Sequence, residues 1–409
     1  MYHYYTYDGR TLCSAGALPY PEISALPETG EVLWVFHRPP LAGRDTFPVT
    51  DPAQLTEEEG VASLCTAPCP EDVPPALLSA IRAGRVRAVN GSHPRLEELL
   101  APVSRPEKVR VNLLALGDVG STLLMGLRLL GGDVISSLGI CDVRENVASR
   151  WEFELDQIAP PEGGPLPEAD VIAPEQLFDG DVFLFCASRM IPDTSVAQGD
   201  VRMAQYALNR ELVGHYARMA REKQYRGLFV VISDPVDPLC RWALRESNKN
   251  ERGDYDGLGL SPEQIRGFGL GVMHARALYF ARRDPRYASY LTEGRAFGPH
   301  GEDLVLANSL THYDDALSRE LTERVAHANL EMRKLGFKPY VAPALSSGAL
   351  TLLALLRRQW HYASLYDGRV FMGCRSRLTD DGPETEHIPL PPALAQRLAD
   401  TRAKLDAIE

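Results

Sequence analysis

The sequence predicts an α/β protein: a Rossmann-type, doubly wound parallel sheet, followed by an α+β domain and preceded by a small N-terminal accessory domain. Four apolar runs of strand length alternate with helical segments between residues 109 and 233. Strands that are apolar along their whole length lie buried on both faces, as in parallel sheets covered by helices. A glycine-containing turn follows the first of these strands, and helical patterns dominate after residue 271.

The first hundred residues differ in composition from the rest of the chain. They are rich in proline and turn residues, and they contain one predicted strand, Glu31–His37, and one short helix, Pro74–Gly84. A linker around Ala101–Glu107 ends this region. We therefore expect an accessory domain or arm over 1–105, and further domains over 106–270 and 271–409.

The parallel sheet is predicted from four strands joined by helical segments. The strands are Val109–Leu116, Val134–Cys141, Asp181–Ala187 and Gly227–Ser233. Helices are predicted over Ser121–Leu130, Val201–Lys223, Val272–Arg282, Ala316–Leu335, Ser346–Arg358 and from Pro391 onward, with a late strand at Gly368–Met372. Alternation of strands and helices favours parallel strands joined by crossover helices.

Charge and composition argue against several classes of partner. The chain has 409 residues, with 43 basic and 55 acidic side chains and a net charge of −12, so neither nucleic acid nor an anionic membrane is expected to bind. The N-terminus has no basic region followed by an apolar core, and no apolar run reaches the roughly 18 residues that span a bilayer. The seven cysteines are too scattered for a disulfide framework. These features predict a soluble, cytoplasmic protein.

Cys65 and Cys69 form a pair that could suggest a metal site. A second pair does not accompany them in the sequence, and structural zinc sites use four ligands. We interpret the pair as part of a turn, and we expect no metal.

The turn after the first parallel strand carries a dinucleotide-binding pattern. Ala115–Gly120 matches G-x-G-x-x-G with alanine in the first position. Gly117 lets the backbone approach a pyrophosphate at the positive end of the following helix, and Gly120 allows close packing of helix and strand. Asp142 ends the second strand, where it can accept bonds from ribose hydroxyls and repel a 2′-phosphate. The pattern predicts NAD as the cofactor; a glycine-bearing turn in another α/β protein is the alternative.

Five segments in order resemble the lactate/malate dehydrogenase family, over about three quarters of the chain. They are Ala115–Gly120, Cys186–Arg189 with Arg202–Asn209, Ile232–Asp237, Gly267–Arg276 and Phe297–Asp303. The resemblance implies hydride transfer between nicotinamide and a small 2-hydroxy/2-oxo acid, with an NAD-binding domain over 106–270 and a substrate domain over 271–409. It implies cofactor contacts by Gly117, Asp118, Val119, Gly120, Asp142, Ala187 and Asp234.

The resemblance also implies which side chains react with or bind the substrate. His300 matches the histidine that takes the hydroxyl proton as hydride leaves, since imidazole exchanges protons near neutral pH. Arg276 matches the arginine that binds the substrate carboxylate through two hydrogen bonds. Arg202, seven residues before Asn209, matches an arginine on a closing loop that polarises the carbonyl. Arg189 lies where malate-type members carry a second arginine for a distal carboxylate.

Three departures from the family pattern affect this site. Met273 stands three residues before Arg276, where the family has the aspartate that orients the histidine. Asp234 replaces an asparagine, and the loop after Arg189 is several residues longer than usual, which leaves the substrate role of that arginine open. We hypothesise that Asp234 supplies the carboxylate that supports His300.

Two other functions and an oligomeric state follow from the same pattern. Met273 favours a non-catalytic or altered NAD-binding protein derived from the family. An NAD-dependent glycoside hydrolase shares the fold, but it uses a Cys/His pair on a metal, and no cysteine lies near His300 or His274 in the sequence. Family members associate through helices such as those after Val201 and Ser346, so a homodimer or homotetramer is expected.

Overall fold

Two large β-sheets organise the protein, as seen in a computed structural model. The structure describes residues 2–56, 59–66, 72–102, 106–189 and 198–408, with the backbone alone for 198–204. The first sheet lies in the N-terminal region, and the second is built from the rest of the chain. Within these described ranges, no helix is both long and apolar enough to cross a bilayer.

A six-stranded mixed sheet forms the N-terminal region. Its strands are β1 (His3–Tyr7), β2 (Arg10–Ser14), β3 (Glu22–Ile23), β4 (Val32–Phe36), β5 (Thr46–Pro48) and β6 (Val86–Asn90), and its helices are α1 (Gly60–Thr66), α2 (Pro75–Arg82) and α3 (Leu96–Leu100). The spatial order of the strands is β3-β1-β2-β4-β6-β5. Strand β4 and helix α2 confirm the predicted strand and helix. The sequence does not predict the other strands, which are only two to five residues long.

A nine-stranded sheet forms the centre of the rest of the chain. The further strands are β7 (Val109–Leu114), β8 (Ile135–Cys141), β9 (Glu168–Val171), β10 (Val182–Phe185), β11 (Leu228–Val231), β12 (Ile265–Gly267), β13 (Arg295–Phe297), β14 (Val305–Ala307), β15 (His361–Tyr366), β16 (Phe371–Thr379) and β17 (Gly382–Thr385). Strands β13 and β14 pair separately, and the other nine follow the order β9-β8-β7-β10-β11-β12-β15-β16-β17. The first six are parallel in the order of a doubly wound dinucleotide fold, which confirms the predicted fold class.

The same sheet takes strands from both sides of residue 270. Strands β15 to β17 extend the parallel part in antiparallel fashion, so the two predicted C-terminal domains contribute to one sheet. The division into three domains stays a prediction.

Helices connect or follow the strands of this part of the chain, and several of them cover the two faces of the nine-stranded sheet. They are α4 (Asp118–Leu130), α5 (Glu145–Asp156), α6 (Gln198–Glu222), α7 (Val236–Asn248), α8 (Leu270–Ala281), α9 (Tyr290–Glu293), α10 (Asp315–Ala326), α11 (Ala328–Lys334), α12 (Leu350–Leu356) and α13 (Pro392–Asp406). Val111 and Leu113 of the sheet pack into one apolar cluster, whereas Phe183 and Phe185 pack into another on the opposite face. Burial on both faces explains why these strands are apolar along their whole length.

Three predicted elements have different bounds in the structure. The helix predicted over 316–335 is interrupted at His327, between α10 and α11. The helix predicted over 346–358 begins earlier than expected, because a π-helical segment, Pro343–Ala349, leads into α12. The strand predicted at 368–372 starts later, since Gly368 adopts a φ of +94° and forms the turn between β15 and β16.

The N-terminal region packs against the edge of the nine-stranded sheet. The Nη1 atom of Arg44 donates to the carbonyl of Pro383 on β17 at 2.6 Å, and the hydroxyl of Tyr366 donates to the carbonyl of Leu41. Glu59, which is buried, accepts a hydrogen bond from Nε of Arg44 at 3.0 Å. Paired buried polar groups of this kind fix the contact, and the N-terminal region covers part of the strand edge.

Candidate functional site

The turn between β7 and α4 has the geometry of a phosphate cradle. Ala115 adopts a left-handed backbone conformation with a φ of +75°. A Cβ on Gly120 would lie 2.0 Å from the carbonyl oxygen of Ala115, so only glycine fits there. A Cβ on Gly117 would meet no described atom within 4 Å, and no described side chain caps the N-terminus of α4. The N–H groups of the first helical turn are therefore available to an anion.

Asp142 lies beside this turn, at the end of β8. Its Oδ2 accepts a hydrogen bond from the N–H of Leu116 at 2.8 Å, and its Oδ1 accepts one from the N–H of Arg144 at 3.0 Å. Each carboxylate oxygen has a second lone pair that can accept a bond from a ribose hydroxyl. The uncapped helix, the bare Gly117 and this fixed carboxylate together fit a dinucleotide.

The left-handed conformation of Ala115 leads to a stability prediction. Replacing Ala115 with glycine is expected to raise the free energy of unfolding by about 1 kcal/mol, because glycine adopts a positive φ without steric strain. Chemical denaturation of the variant and the wild type measures the difference. Ala173→Gly serves as the control, since Ala173 has extended backbone (φ −73°) and no such strain is relieved there. A variant at position 115 that is no more stable than the wild type would contradict the prediction.

A cavity of about 710 Å³ opens beside the cofactor turn. Its lining includes Val119 of that turn together with Asp234, Met273, Arg276 and His300. The loop after β11, the helix α8 and the loop after β13 contribute these groups. The structure thus brings three residues predicted to act together, His300, Arg276 and Asp234, into one cavity with the start of α4.

His300 and Asp234 form the central pair of this cavity. The Nδ1 atom of His300 lies 3.3 Å from Oδ1 of Asp234. A Cβ on Gly269 would lie 2.7 Å from the Cβ of His300, so the missing side chain at Gly269 allows the histidine loop to approach. Since Nδ1 faces the carboxylate, Nε2 is the ring nitrogen that can exchange a proton with a substrate.

Arg276 lies one helical turn after Met273 on α8. Its Nη1 atom is 3.6 Å from the sulfur of Met273, which is buried. Burial lowers the pKa of Arg276, and the charge of Asp234 opposes that shift. A guanidinium stays protonated despite such a shift, so Arg276 can bind a carboxylate.

Asn209 and Asp237 support the site, although no role for either was predicted. Asn209 donates from Nδ2 to the carbonyl of Asp234 at 2.8 Å, and its Oδ1 accepts from the N–H of Arg189 at 3.0 Å. Asp237 accepts a 2.6 Å hydrogen bond from Ser364. Burial raises the pKa of Asp237 to about 7, although the bond from Ser364 opposes the shift. Only the spacing of Asn209 and the Pro-Val-Asp segment pointed to these positions in the sequence.

The remaining predicted residues are less closely tied to the cavity. The side chain of Arg189 is exposed, and Arg189 is not among the described residues that line the cavity. The side chain of Arg202 and the whole of Cys69 lie outside the described residues. Ala187 lies two residues after the end of β10, where its carbonyl accepts a 2.7 Å hydrogen bond from Ser233. The roles predicted for these residues stay predictions.

His274, next to Met273, belongs to a different environment. Its Nδ1 atom lies 3.0 Å from the hydroxyl of Tyr290, and its ring packs on Tyr362. Burial lowers the pKa of His274 to about 4. The imidazole is therefore neutral near pH 7, as expected of a side chain that stabilises the packing of α8.

Comparison with known sequences identifies distant relatives. No protein-family model matches the chain. The L-lactate dehydrogenase of Treponema denticola is 26% identical over 208 residues, which cover 50% of this chain and 59% of that protein. The L-lactate dehydrogenase of Mesomycoplasma hyopneumoniae is 21% identical over 201 residues, or 49% of this chain and 58% of that protein. The chain thus aligns with less than two thirds of the length of these relatives.

Comparison with solved structures shows the fold. The minor L-lactate dehydrogenase of Enterococcus mundtii superimposes with a TM-score of 0.60 at 18% identity, covering 74% of this chain and 99% of that one. A malate dehydrogenase of Plasmodium falciparum gives 0.58 at 14% identity, over 73% and 96% of the two chains. A malate dehydrogenase of Archaeoglobus fulgidus, solved with NADH, gives 0.56 at 16% identity, over 72% and 97%. The predicted resemblance to lactate/malate dehydrogenases is confirmed, and these structures share the fold of this chain.

Proposed function

We propose that this divergent relative of the lactate/malate dehydrogenases is an NAD-dependent oxidoreductase acting on a small 2-hydroxy/2-oxo acid. One observation carries the proposal: His300, its partner Asp234 and Arg276 line one cavity with Val119 of the cofactor turn. A base, a carboxylate-binding cation and a dinucleotide cradle in one cavity are the groups that this reaction needs.

NAD would be held by the turn and strand ends described above. Backbone N–H groups at Gly117, Asp118 and Val119 would bind its pyrophosphate, and Gly120 lets α4 pack close enough to present them. Asp142 accepts bonds from the ribose, which favours NAD over NADP. Ala187 and Asp234, at the ends of neighbouring strands, extend the contact surface toward the cavity. When bound, the nicotinamide supplies the hydride acceptor or donor.

The chain's own residues handle the proton and the carboxylate. Nε2 of His300 takes the proton of the substrate hydroxyl during oxidation and returns it to the carbonyl oxygen during reduction. Asp234 holds Nδ1 and stabilises the imidazolium that this transfer creates. Arg276 pairs with the substrate carboxylate and so positions the hydroxyl-bearing carbon. Arg202 would polarise the carbonyl, and Arg189 would bind a distal carboxylate.

Relative to the family pattern, the site lacks a carboxylate at one position and has an additional one at another. Met273 removes the carboxylate that the family places on α8, whereas Asp234 introduces one on the loop after β11. The 3.3 Å separation from His300 gives this second carboxylate the position needed to orient the ring. Asp234, Arg276 and His300 therefore bring a carboxylate, a guanidinium and an imidazole to the same cavity.

The test measures NADH formation by the purified protein with NAD and a panel of 2-hydroxy acids. His300→Gln is expected to lower kcat by about 100-fold or more while NADH still binds, because only the proton acceptor is lost. His312→Gln is the matched control, since that side chain is 79% exposed and lies outside the cavity lining. Turnover that does not depend on His300 would overturn the assigned mechanism.

A non-catalytic NAD-binding protein is the second candidate. Met273 favours it, since a methionine cannot orient an imidazole or stabilise the imidazolium form as the family's aspartate does. NADH binding without turnover of any acid in the panel would support this function over the enzyme.

A further inference from the structure

A short loop joins the catalytic cavity to the start of the cofactor helix. The loop spans residues 336–340 and lines the cavity through Phe337, Lys338 and Tyr340, as His300 also does. Gly336 ends helix α11 with a φ of +84°, and its N–H donates to the carbonyl of Arg333 at 2.9 Å. This helix end fixes where the loop begins.

Lys338 reaches across the chain to the first residue of α4. Its Nζ atom lies 3.2 Å from Oδ2 of Asp118, 220 residues away in sequence. The side chains are 66% and 49% exposed, so the pair is accessible to solvent and to ligands. An exposed ion pair of this kind contributes little to stability, and it can exchange partners readily.

The position of Asp118 creates an electrostatic conflict with the proposed cofactor. A carboxylate in the first turn of a helix is stabilised by the helix dipole. The same end of α4 is where the N–H groups would bind the pyrophosphate. Two anions at one helix end repel each other, and the cation already present there is Lys338.

We propose that Lys338 is a cofactor-binding residue whose ammonium leaves Asp118 and pairs with the dinucleotide pyrophosphate. The Asp118 carboxylate then competes with the pyrophosphate for the Lys338 ammonium, whereas the Asp118 N–H still helps to hold the phosphates. This inference rests on the proposed function.

The two members of the pair are expected to have opposite effects on binding. Lys338→Met should weaken the binding of NADH and of ADP-ribose by about 10-fold, the effect of losing one charge-assisted hydrogen bond. Asp118→Asn should tighten both by about 3-fold, because it frees the lysine and removes an anion. Binding of adenosine, which has no phosphate, should stay unchanged in both variants.

Lys334→Met provides the matched control for these titrations. Lys334 is the last residue of α11, four residues before Lys338. Its side chain is 69% exposed and pairs with Glu331, so its replacement removes the same charge at a different place. Isothermal titration of all three variants and the wild type, without substrate, gives the dissociation constants. Unfolding temperatures are compared to confirm that each variant is folded.

The outcomes separate this inference from the proposed function. The role of Lys338 would be overturned, with NADH binding by the wild type intact, by either of two results. The dissociation constants of Lys338→Met and Asp118→Asn could change in the same direction, or Lys338→Met and Lys334→Met could bind NADH equally well. Failure of the wild type to bind NADH or ADP-ribose would overturn the proposed function and this inference together. Dissociation constants that change in opposite directions in the two variants, and only for NADH and ADP-ribose, would support both the proposed function and this inference.

Discussion

Asp234→Asn is expected to lower kcat by about 100-fold or more. The asparagine keeps the size of the side chain, but it cannot stabilise the imidazolium that forms at His300 during oxidation. Steady-state kinetics on the best acid of the panel measure the loss. Asp303→Asn is the control, because that carboxylate lies three residues after His300 but pairs with Lys404 at 2.7 Å.

A second substitution tests whether the carboxylate acts by its position. Met273 is buried at the place where the family carries its acid, with its sulfur 3.6 Å from Nη1 of Arg276. Adding Met273→Asp to the Asp234→Asn variant should therefore recover part of kcat, since a carboxylate is again available to His300. A merely structural role of Asp234 predicts no such rescue. An Asp234→Asn variant with wild-type kcat would show that His300 works without this partner.

Glu263→Gln is expected to remove a loss of stability that the wild type suffers as the pH rises. Glu263 is half-buried at the contact with the N-terminal region, where its Oε2 accepts a 3.2 Å hydrogen bond from the N–H of Asp45. Burial raises the pKa of Glu263 to about 8, and the nearby charge of Asp45 raises it further. Hydrogen bonds from the backbone N–H groups of Glu263 and Asp45 and the guanidinium charge of Arg44 oppose this shift, whereas His93, 3.8 Å from Asp45, acts on the pKa of Asp45.

The free energy of unfolding falls as the pH rises, because the pKa of Glu263 is higher in the folded than in the unfolded protein. A carboxyl group whose pKa is higher in the folded state contributes stability that is fully present below its ordinary pKa and is lost as the pH rises through about 8. Between about pH 5 and about pH 9, the wild type should lose a few kcal/mol relative to Glu263→Gln, which stays neutral throughout. Urea denaturation at several pH values measures both curves.

Glu175→Gln controls for the chemistry of the substitution. Glu175 lies in a second Pro-Glu-Gln turn of the same 3₁₀ geometry, but there the side chain is exposed. Its replacement should leave the pH dependence of stability unchanged. Parallel curves for the wild type and Glu263→Gln would contradict a protonated Glu263 in the folded protein.

Local patterns in the sequence predicted the parallel sheet and the cofactor turn well. Burial on both faces leaves continuous apolar strands, and close packing of α4 requires Gly120. The patterns were less informative where short strands carry little signal, as in the N-terminal sheet, and where one helix is interrupted at His327. Helical periodicity does not reveal such interruptions, because the residues on both sides keep the same spacing.

The sequence by itself determined the order of strands and helices, the glycines of the cofactor turn and the absence of the usual acid at Met273, because these features depend on neighbouring residues. Only the tertiary structure decided which charges meet, although the pairing of Asp234 with His300 was a hypothesis from the sequence. Asp234 with His300, Asp45 with Glu263 and Asp118 with Lys338 are 66, 218 and 220 residues apart. Their distances depend on how distant elements pack, and the same packing sets the burial that shifts a pKa.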